Sequence, residues 1–235
     1  MNNYTYKNAP LADRSRPSSF DEMVGQAHLI GKNGALRALV ASGRIPSMVF
    51  FGPPGCGKTT AASIIASLSG MELRCLNATT AALADIRKIA DEADSVIGQG
   101  GILLYLDEIQ YFNKKQQQSL LEYIEDGRIT LISSTTENPY YYIYDALLSR
   151  LSVFEFKPVT ASDIIPRLRA VFEESGESAL SFTGEAYAFI AGCAGGDAPC
   201  AYDARACKLR KGSGTDTVDE EFVRSLITVC RRRAI

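Results

Sequence analysis

Gly52-Pro53-Pro54-Gly55-Cys56-Gly57-Lys58-Thr59-Thr60 fits the pattern G-x-x-x-x-G-K-[ST] and directly follows the apolar run Ser47-Met48-Val49-Phe50-Phe51. A helix-favouring stretch, residues 60–66, comes next. In such a strand, loop and helix, glycines let the backbone curl so that successive N–H groups point into one concavity, and the helix adds its positive N-terminal end. The pattern predicts a phosphate-binding loop. It disfavours the alternative, a Gly/Pro-rich surface turn before an ordinary helix.

The residue types of this loop indicate what it binds. Lys58 is expected to meet the β- and γ-phosphates of a nucleotide, and the Thr59 hydroxyl to ligate Mg²⁺. The cofactors predicted from the loop are therefore ATP and Mg²⁺. Because Cys56 lies inside the loop, we expect thiol alkylation there to block nucleotide binding and bound ATP to protect. The residues expected to contact the nucleotide are Gly52, Pro53, Pro54, Gly55, Cys56, Gly57, Lys58, Thr59 and Thr60.

Composition limits the class of protein. The chain has 235 residues, of which 46% are hydrophobic, and a net charge of −2, which is typical of a globular protein without a uniformly basic surface. The polar start, residues 1–7, is unlike a signal peptide, and no apolar run reaches the roughly 18 residues of a membrane span. We expect a cytoplasmic protein. Six cysteines without a C-x-x-C pair and a single histidine, His28, argue against a zinc site.

A second stretch, Gly101-Ile102-Leu103-Leu104-Tyr105-Leu106-Asp107-Glu108, is an unbroken apolar run that ends in two acids. Such a run indicates a strand buried on both faces of a parallel sheet, whose carboxyl edge is where ligands bind. Asp107 is expected to contact Mg²⁺ directly or through its ligands, and Glu108 to polarise the attacking water. The alternative is that these acids merely lie at the exposed end of an ordinary strand. The presence of a phosphate-binding loop in the same chain disfavours it.

Three further strands are predicted at 72–76, 129–134 and 152–156, with helical stretches between the strands at about 82–96, 114–126 and 144–148. These elements define an α/β fold with a five-stranded, mostly parallel sheet. The strand at 129–134 delivers Thr135-Thr136 to the same edge as Glu108. Beyond Lys157-Pro158 only helical segments are expected, at about 161–175, 183–194, 199–211 and 219–232. Residues 1–157 and 158–235 are therefore predicted to be separate domains, the second small and all-helical.

The order of these features, a P-loop strand, an Asp-Glu strand, a Thr-bearing strand, Ser149-Arg150 and a helical lid, resembles an AAA+ ATPase. Within that class, the chain most resembles the RarA/MgsA replication-associated recombination ATPases. The most diagnostic run for this resemblance is Thr135-Thr136-Glu137-Asn138-Pro139. Clamp-loader ATPases share the architecture and the Ser-Arg, but not that run. The other matching segments are Pro10-Leu11-Ala12-Asp13-Arg14 with Arg16-Pro17, Val24-Gly25-Gln26-Ala27-His28-Leu29, Asp107-Glu108, and Phe112-Asn113-Lys114 with Gln116-Gln117.

The resemblance implies further roles. Thr136 would be the sensor 1 residue near the γ-phosphate, and Asn77 is a candidate to hold Glu108 inactive until a partner binds. Arg150 would be an arginine finger that reaches a neighbouring subunit, which implies a homo-oligomer. Similar proteins act at stalled replication forks on single-stranded DNA or duplex ends, contact single-strand-binding protein and, in bacteria, associate with the nucleoid. The residues implied to surround the adenine are Asp13, Arg14, Val24, Gly25 and Gln26.

The chain departs from the family at three points. Pro199-Cys200 stand where the family places arginines, including sensor 2. Gln110-Tyr111 replace the usual His-Arg after the acids. The family continues into a C-terminal oligomerisation region after the lid, where this chain stops, so we expect either a fragment of a longer protein or a short relative that assembles less stably. Two functions remain: an ATP-hydrolysing motor domain in DNA replication, recombination and repair, and a hydrolysis-poor nucleotide-binding assembly module that lacks sensor 2. A small-molecule kinase is a distant third function, because the acid pair and Ser149-Arg150 suit water attack between subunits better than phosphoryl transfer to a metabolite.

Overall fold

A computed structural model of the chain describes residues 16–93, 101–174, 181–193, 217–221 and 223–224. The chain divides into two compact units, of which the larger is Pro17–Lys157 and the smaller includes the described residues from Pro158 onward. Some predictions fall outside the described residues: the adenine-pocket roles of Asp13 and Arg14, the helix at 199–211, and the replacement of sensor 2 by Pro199-Cys200. Among the described residues, no helix is long and apolar enough to cross a bilayer.

The larger unit is built on a single five-stranded sheet. Every strand pairs in parallel with its neighbours, in the order β2-β3-β4-β1-β5. The predicted α/β fold with a mostly parallel sheet is confirmed, and the described sheet is parallel throughout. The carboxyl ends of β1, β3 and β4 therefore lie side by side at one edge. The strands are β1 Met48–Phe51, β2 Glu72–Asn77, β3 Ile102–Asp107, β4 Ile129–Thr135 and β5 Ser152–Glu155.

Helices connect the strands, as crossovers between parallel strands require. A 3₁₀ turn, Ile109–Tyr111, follows the acid pair. The prediction from sequence missed the four-residue helix at Pro139–Tyr142, which Asn138 caps by accepting a hydrogen bond from the Tyr140 amide at 3.0 Å. The helices are α1 Ala27–Ile30, α2 Ala35–Ala41, α3 Lys58–Ser69, α4 Leu83–Ala93, α5 Lys114–Glu125, α6 Pro139–Tyr142 and α7 Asp145–Leu148.

The core of this unit is centred on β3. Leu103, Leu104 and Leu106 are each 0% exposed, which explains the unbroken apolar run of this strand. On one face, β3 contributes Leu104 and Leu106 to a cluster with Ile86 of α4 and Leu120 of α5. Because β3 ends in Asp107, the same rigid strand that forms the core also fixes the position of the acidic edge.

The smaller unit is described in part. Its helices are α8 Ala161–Glu174 and α9 Gly184–Cys193. The expectation of an all-helical unit needs correction, because β6 Ser181–Phe182 and β7 Thr217–Val218 pair in parallel. Strands of two residues are too short to show an alternating pattern, so they could not be predicted from the sequence. Val218 packs with Ala186 and Val223 in a small core.

Candidate functional site

The loop between β1 and α3 has the backbone conformation that its glycines allow. Gly52, Gly55 and Gly57 have φ angles of 147°, 74° and 97°. A Cβ atom at Gly52 would lie 2.1 Å from the Phe156 carbonyl oxygen, so only glycine fits there. Gly57 immediately precedes α3. The loop therefore passes directly into a helix of 12 residues, whose N-terminal N–H groups favour an anion.

Lys58 lies within this loop. Its side-chain ammonium donates to the carbonyl oxygens of Gly52 at 2.7 Å and Pro53 at 2.8 Å. The residue is only 8% exposed. Within the described residues no acid pairs with this buried cation, which is held by neutral carbonyls, so its charge is available to an anionic phosphate.

Cys56 is also enclosed by the loop. Its side chain is 1% exposed, and the Sγ–H group donates to the Pro53 carbonyl at 2.9 Å. Burial raises the pKa of this thiol above its ordinary value, and the nearby charge of Lys58 opposes that shift only in part. Because the thiol is both enclosed and poorly ionised, we expect its alkylation in the folded protein to be slow. That alkylation would block nucleotide binding, with bound ATP protecting, stays a prediction.

Gln26 joins the segment before α1 to the phosphate-binding loop. Its side-chain amide donates to the carbonyls of Lys157 at 2.7 Å and Cys56 at 3.3 Å, and its Oε1 accepts from the Lys157 amide at 2.9 Å. Gln26 is 5% exposed and has a φ of 55°. Nearby, Met23 lies so close to Gly57 that an added Cβ would be 3.0 Å from its Cε. The Val24-Gly25-Gln26 segment thus borders the loop, and its contact with adenine stays a prediction.

The acid pair lies at the adjacent strand end. Asp107 is the last residue of β3, and Glu108 follows it in a left-handed conformation with φ 55°. The Gln110 side-chain amide donates to Glu108 Oε2 at 2.5 Å. The Asn77 carbonyl Oδ1 instead accepts from the amide and hydroxyl of Thr79 at 2.9 and 2.6 Å. In the described residues Glu108 thus accepts a hydrogen bond from Gln110, while the Oδ1 of the candidate Asn77 is used by Thr79.

A chain of hydroxyl groups joins Asp107 to the loop. The Tyr105 hydroxyl lies 2.9 Å from the Thr59 hydroxyl and donates to Asp107 Oδ1 at 3.3 Å. The Ser134 hydroxyl of β4 donates to the same oxygen. Burial raises the pKa of Tyr105, so the phenol stays protonated as a donor. Hydroxyl and carboxylate oxygens are ligands that Mg²⁺ prefers, so Thr59 and Asp107 fit the metal predicted for this site.

The third strand of the site is β4, which pairs with β1. The Gly52 amide donates to the Thr135 carbonyl at 3.2 Å, so the end of β4 is tied to the start of the loop. Thr135 is fully buried, and its hydroxyl accepts from the Glu137 amide at 3.0 Å. Thr136 is exposed immediately after the strand. Because β4 lies between β3 and β1, Thr136 lies at the sheet edge that its predicted sensor role requires.

Arg150 follows α7. Its guanidinium forms an ion pair with Glu125 at 2.5 Å and donates to the Ala146 carbonyl at 2.8 Å. The side chains of Arg150 and Glu125 are 43% and 46% exposed, so water competes for both charges. The structure thus places Arg150 at the surface, and its predicted role as an arginine finger concerns a second copy of the chain.

Sequence reasoning gave no role to Gln117, which is 3% exposed. Its amide donates to the carbonyls of Phe112 and Tyr142 at 3.0 and 3.1 Å, and its Oε1 accepts from the Tyr144 amide at 2.8 Å. Gln117 therefore fixes the segment between the sensor threonine and Arg150. Tyr141, in that segment, is 83% exposed. A polar residue in the apolar stripe of a helix was the available signal.

Comparison with known proteins agrees with this geometry. Residues 48–159 match the model of the family described as "ATPase family associated with various cellular activities (AAA)". The chain is 44% identical over 156 residues to replication-associated recombination protein A of Coxiella burnetii, which covers 66% of this chain and 35% of that protein. The corresponding protein of Haemophilus influenzae is 41% identical over 166 residues, covering 70% of this chain and 37% of that protein. The chain thus spans little more than a third of the length of these relatives.

Among solved structures, the Thermotoga maritima RuvB Holliday junction branch migration motor is similar to this chain with a TM-score of 0.76. The match covers 92% of this chain and 72% of that one, at 24% sequence identity. At that identity the likeness concerns the fold. It agrees with the parallel five-stranded sheet described above.

Proposed function

Because this chain belongs to the AAA ATPases, we propose that it binds ATP with Mg²⁺ at the Gly52–Thr60 loop and hydrolyses the γ-phosphate bond. The observation that carries the proposal is the convergence of three strand ends. The phosphate-binding loop follows β1, Asp107 and Glu108 end β3, and Thr136 follows β4, and these strands are neighbours in one parallel sheet. That edge is where α/β sheets bind ligands.

The residues of the site divide the chemistry among them. Lys58 and the loop N–H groups hold the phosphates, since they supply positive charge and donors in a buried setting. Thr59 and Asp107 would hold Mg²⁺, which supplies charge neutralisation to the phosphate oxygens. Glu108 accepts a proton from the attacking water or orients it, and Thr136 positions that water. Arg150 of a neighbouring copy stabilises the charge that develops on the transferred phosphoryl group.

We also propose the cellular setting. The names of the relatives refer to replication-associated recombination, and on that basis we place this ATPase at stalled replication forks. The DNA would be single-stranded or a duplex end, single-strand-binding protein a partner, and the active form a homo-oligomer of a longer protein. Such a protein acts in the cytoplasm and, in a bacterium, at the nucleoid.

The proposal is tested by steady-state ATP hydrolysis with and without single-stranded DNA, together with the mass of the protein in solution. We expect turnover that requires Mg²⁺, rises with DNA and is absent in Lys58→Ala. Lys32→Ala, at another lysine outside the loop, is the matched control and should retain turnover. Phosphate release from the wild type no faster than from Lys58→Ala would contradict the proposal. If the protein hydrolyses ATP at the same rate with and without DNA, the proposed role at replication forks is contradicted, and the proposed ATPase activity is not.

A further inference from the structure

We propose that Tyr105 is a positioning residue that sets the Mg²⁺ affinity of the site, through one hydroxyl that joins Thr59 to Asp107. The inference rests on the proposed nucleotide and Mg²⁺ binding. It adds a residue that does not itself contact nucleotide or metal. To the sequence pattern alone, Tyr105 is one more member of an apolar strand.

The placement of Tyr105 follows from the strand. Side chains two residues apart in a strand lie on the same face, so Tyr105 and Asp107 of β3 share a face. The Tyr105 ring is part of the core at 3% exposure, and its hydroxyl reaches past the strand end to lie 2.9 Å from Thr59 Oγ1 and 3.3 Å from Asp107 Oδ1. The hydroxyl thus bridges the loop helix and the acidic strand end.

The direction of each hydrogen bond follows from counting donors. A carboxylate only accepts, so the single proton of the Tyr105 hydroxyl goes to Asp107 Oδ1. The 2.9 Å bond between Tyr105 and Thr59 then requires Thr59 to donate. With its proton directed to Tyr105, the Thr59 oxygen keeps its lone pairs for a cation. The phenol therefore presets Thr59 as a metal ligand.

Counting hydrogen-bond donors also shows how the Asp107 carboxylate is oriented. In the described part of the chain, Tyr105 and Ser134 both donate to Oδ1 of this carboxylate. Two donors on one oxygen fix the carboxylate plane and leave Oδ2 for metal or its water ligands. Groups that orient metal ligands in this way typically change metal affinity by about 10–100-fold when they are removed.

The test measures binding of fluorescent ADP as MgCl₂ is varied, and again in EDTA. Tyr105→Phe removes the hydroxyl and keeps the ring. We expect its ADP affinity in EDTA to equal that of the wild type, and the Mg²⁺ concentration for half-maximal enhancement of binding to rise about tenfold. Tyr123→Phe, which removes a phenol hydroxyl on α5, is the matched control and should titrate like the wild type.

Ser134→Ala removes the other donor to Asp107 Oδ1 and should shift the Mg²⁺ titration in the same direction. This variant gives an independent result if Tyr105→Phe fails to fold, which its thermal unfolding midpoint would show. A Tyr105→Phe titration that overlays the wild type would overturn the proposal. So would an equal loss of ADP affinity with and without Mg²⁺, which indicates a structural role. Wild-type protein that binds no ADP under either condition would instead overturn the proposed function.

Discussion

Arg150 forms an ion pair with Glu125 at 2.5 Å within the same chain, with the two side chains 43% and 46% exposed. An exposed pair of this kind stabilises a fold by at most about 1 kcal/mol. The guanidinium can therefore leave Glu125 for a stronger anion at little cost. A nucleotide phosphate on a neighbouring copy is such an anion, so the contact is compatible with the finger role proposed for Arg150.

Arg150→Ala should bind nucleotide as the wild type does but lose about 10³-fold or more in turnover, because a finger acts on the transition state. Arg128→Ala, at a half-buried arginine that is paired with Asp126, is the matched control and should remain active. Glu125→Gln removes the ion pair but keeps Arg150, so turnover should persist. Mixing Arg150→Ala with Glu108→Gln should restore part of the activity, since each supplies what the other lacks. If the mixture stays inactive while both proteins assemble, a finger acting between subunits is ruled out.

Gln26→Ala tests the link between the segment before α1 and the loop. The substitution removes three hydrogen bonds to Cys56 and Lys157 backbone atoms. A φ of 55° strains the backbone of alanine as it does that of glutamine. Any fall in stability therefore reports the lost hydrogen bonds rather than a change in backbone strain. We expect the free energy of unfolding in urea to fall by about 1–3 kcal/mol and nucleotide affinity to weaken.

Gln118→Ala, at an exposed glutamine of α5, is the control for that experiment and should change stability by less than about 0.5 kcal/mol. Equal unfolding free energies for Gln26→Ala and the wild type would show that Gln26 does not tie the segment to the loop.

The reactivity of Cys56 should be low in the folded protein. Its pKa is raised by burial above the ordinary thiol value, so less of the thiol is ionised at a given pH than in an exposed cysteine. At pH 7.5 we expect iodoacetamide to label Cys56 at least about ten times more slowly than the exposed Cys75. The rate at Cys56 should rise with pH, because the thiolate is the reactive form. Peptide mass spectrometry measures both sites, and labelling in denaturant should equalise them. Equal rates in the folded protein would contradict the enclosed position of Cys56.

The sequence predicted the centre of the sheet well because β1 and β3 are apolar runs that lead into recognisable motif residues. Asp107 and Lys58 were found through motif spacing, which is local. Helix α6 was missed because four residues carry no periodicity, although Asn138-Pro139 is a helix-start signal. The β6–β7 pair was missed for the same reason of length.

The contacts that organise the site could not be predicted from the sequence, because they join residues that are far apart in the chain. Gln26 bonds to Lys157, which is 131 positions away. Tyr105 reads as apolar in its strand, and only the fold brings its hydroxyl to Thr59 on α3. The resemblance makes Asn77 a candidate to hold Glu108, whereas its Oδ1 accepts from Thr79 in the local turn and Gln110 reaches Glu108 from the following 3₁₀ turn. Long-range side-chain contacts depend on the packing of elements, which a linear pattern does not contain.

The proposal that this chain hydrolyses ATP through Glu108 is tested most directly by Glu108→Gln, measured for steady-state turnover and for ATP affinity. The amide keeps the shape of the side chain but cannot accept a proton from water, so kcat should fall by about 10²-fold or more while the Kd for ATP stays within about twofold. Glu122→Gln, at an exposed glutamate of α5, should leave both quantities unchanged. Wild-type turnover in Glu108→Gln, with ATP binding intact, would contradict the assignment of Glu108.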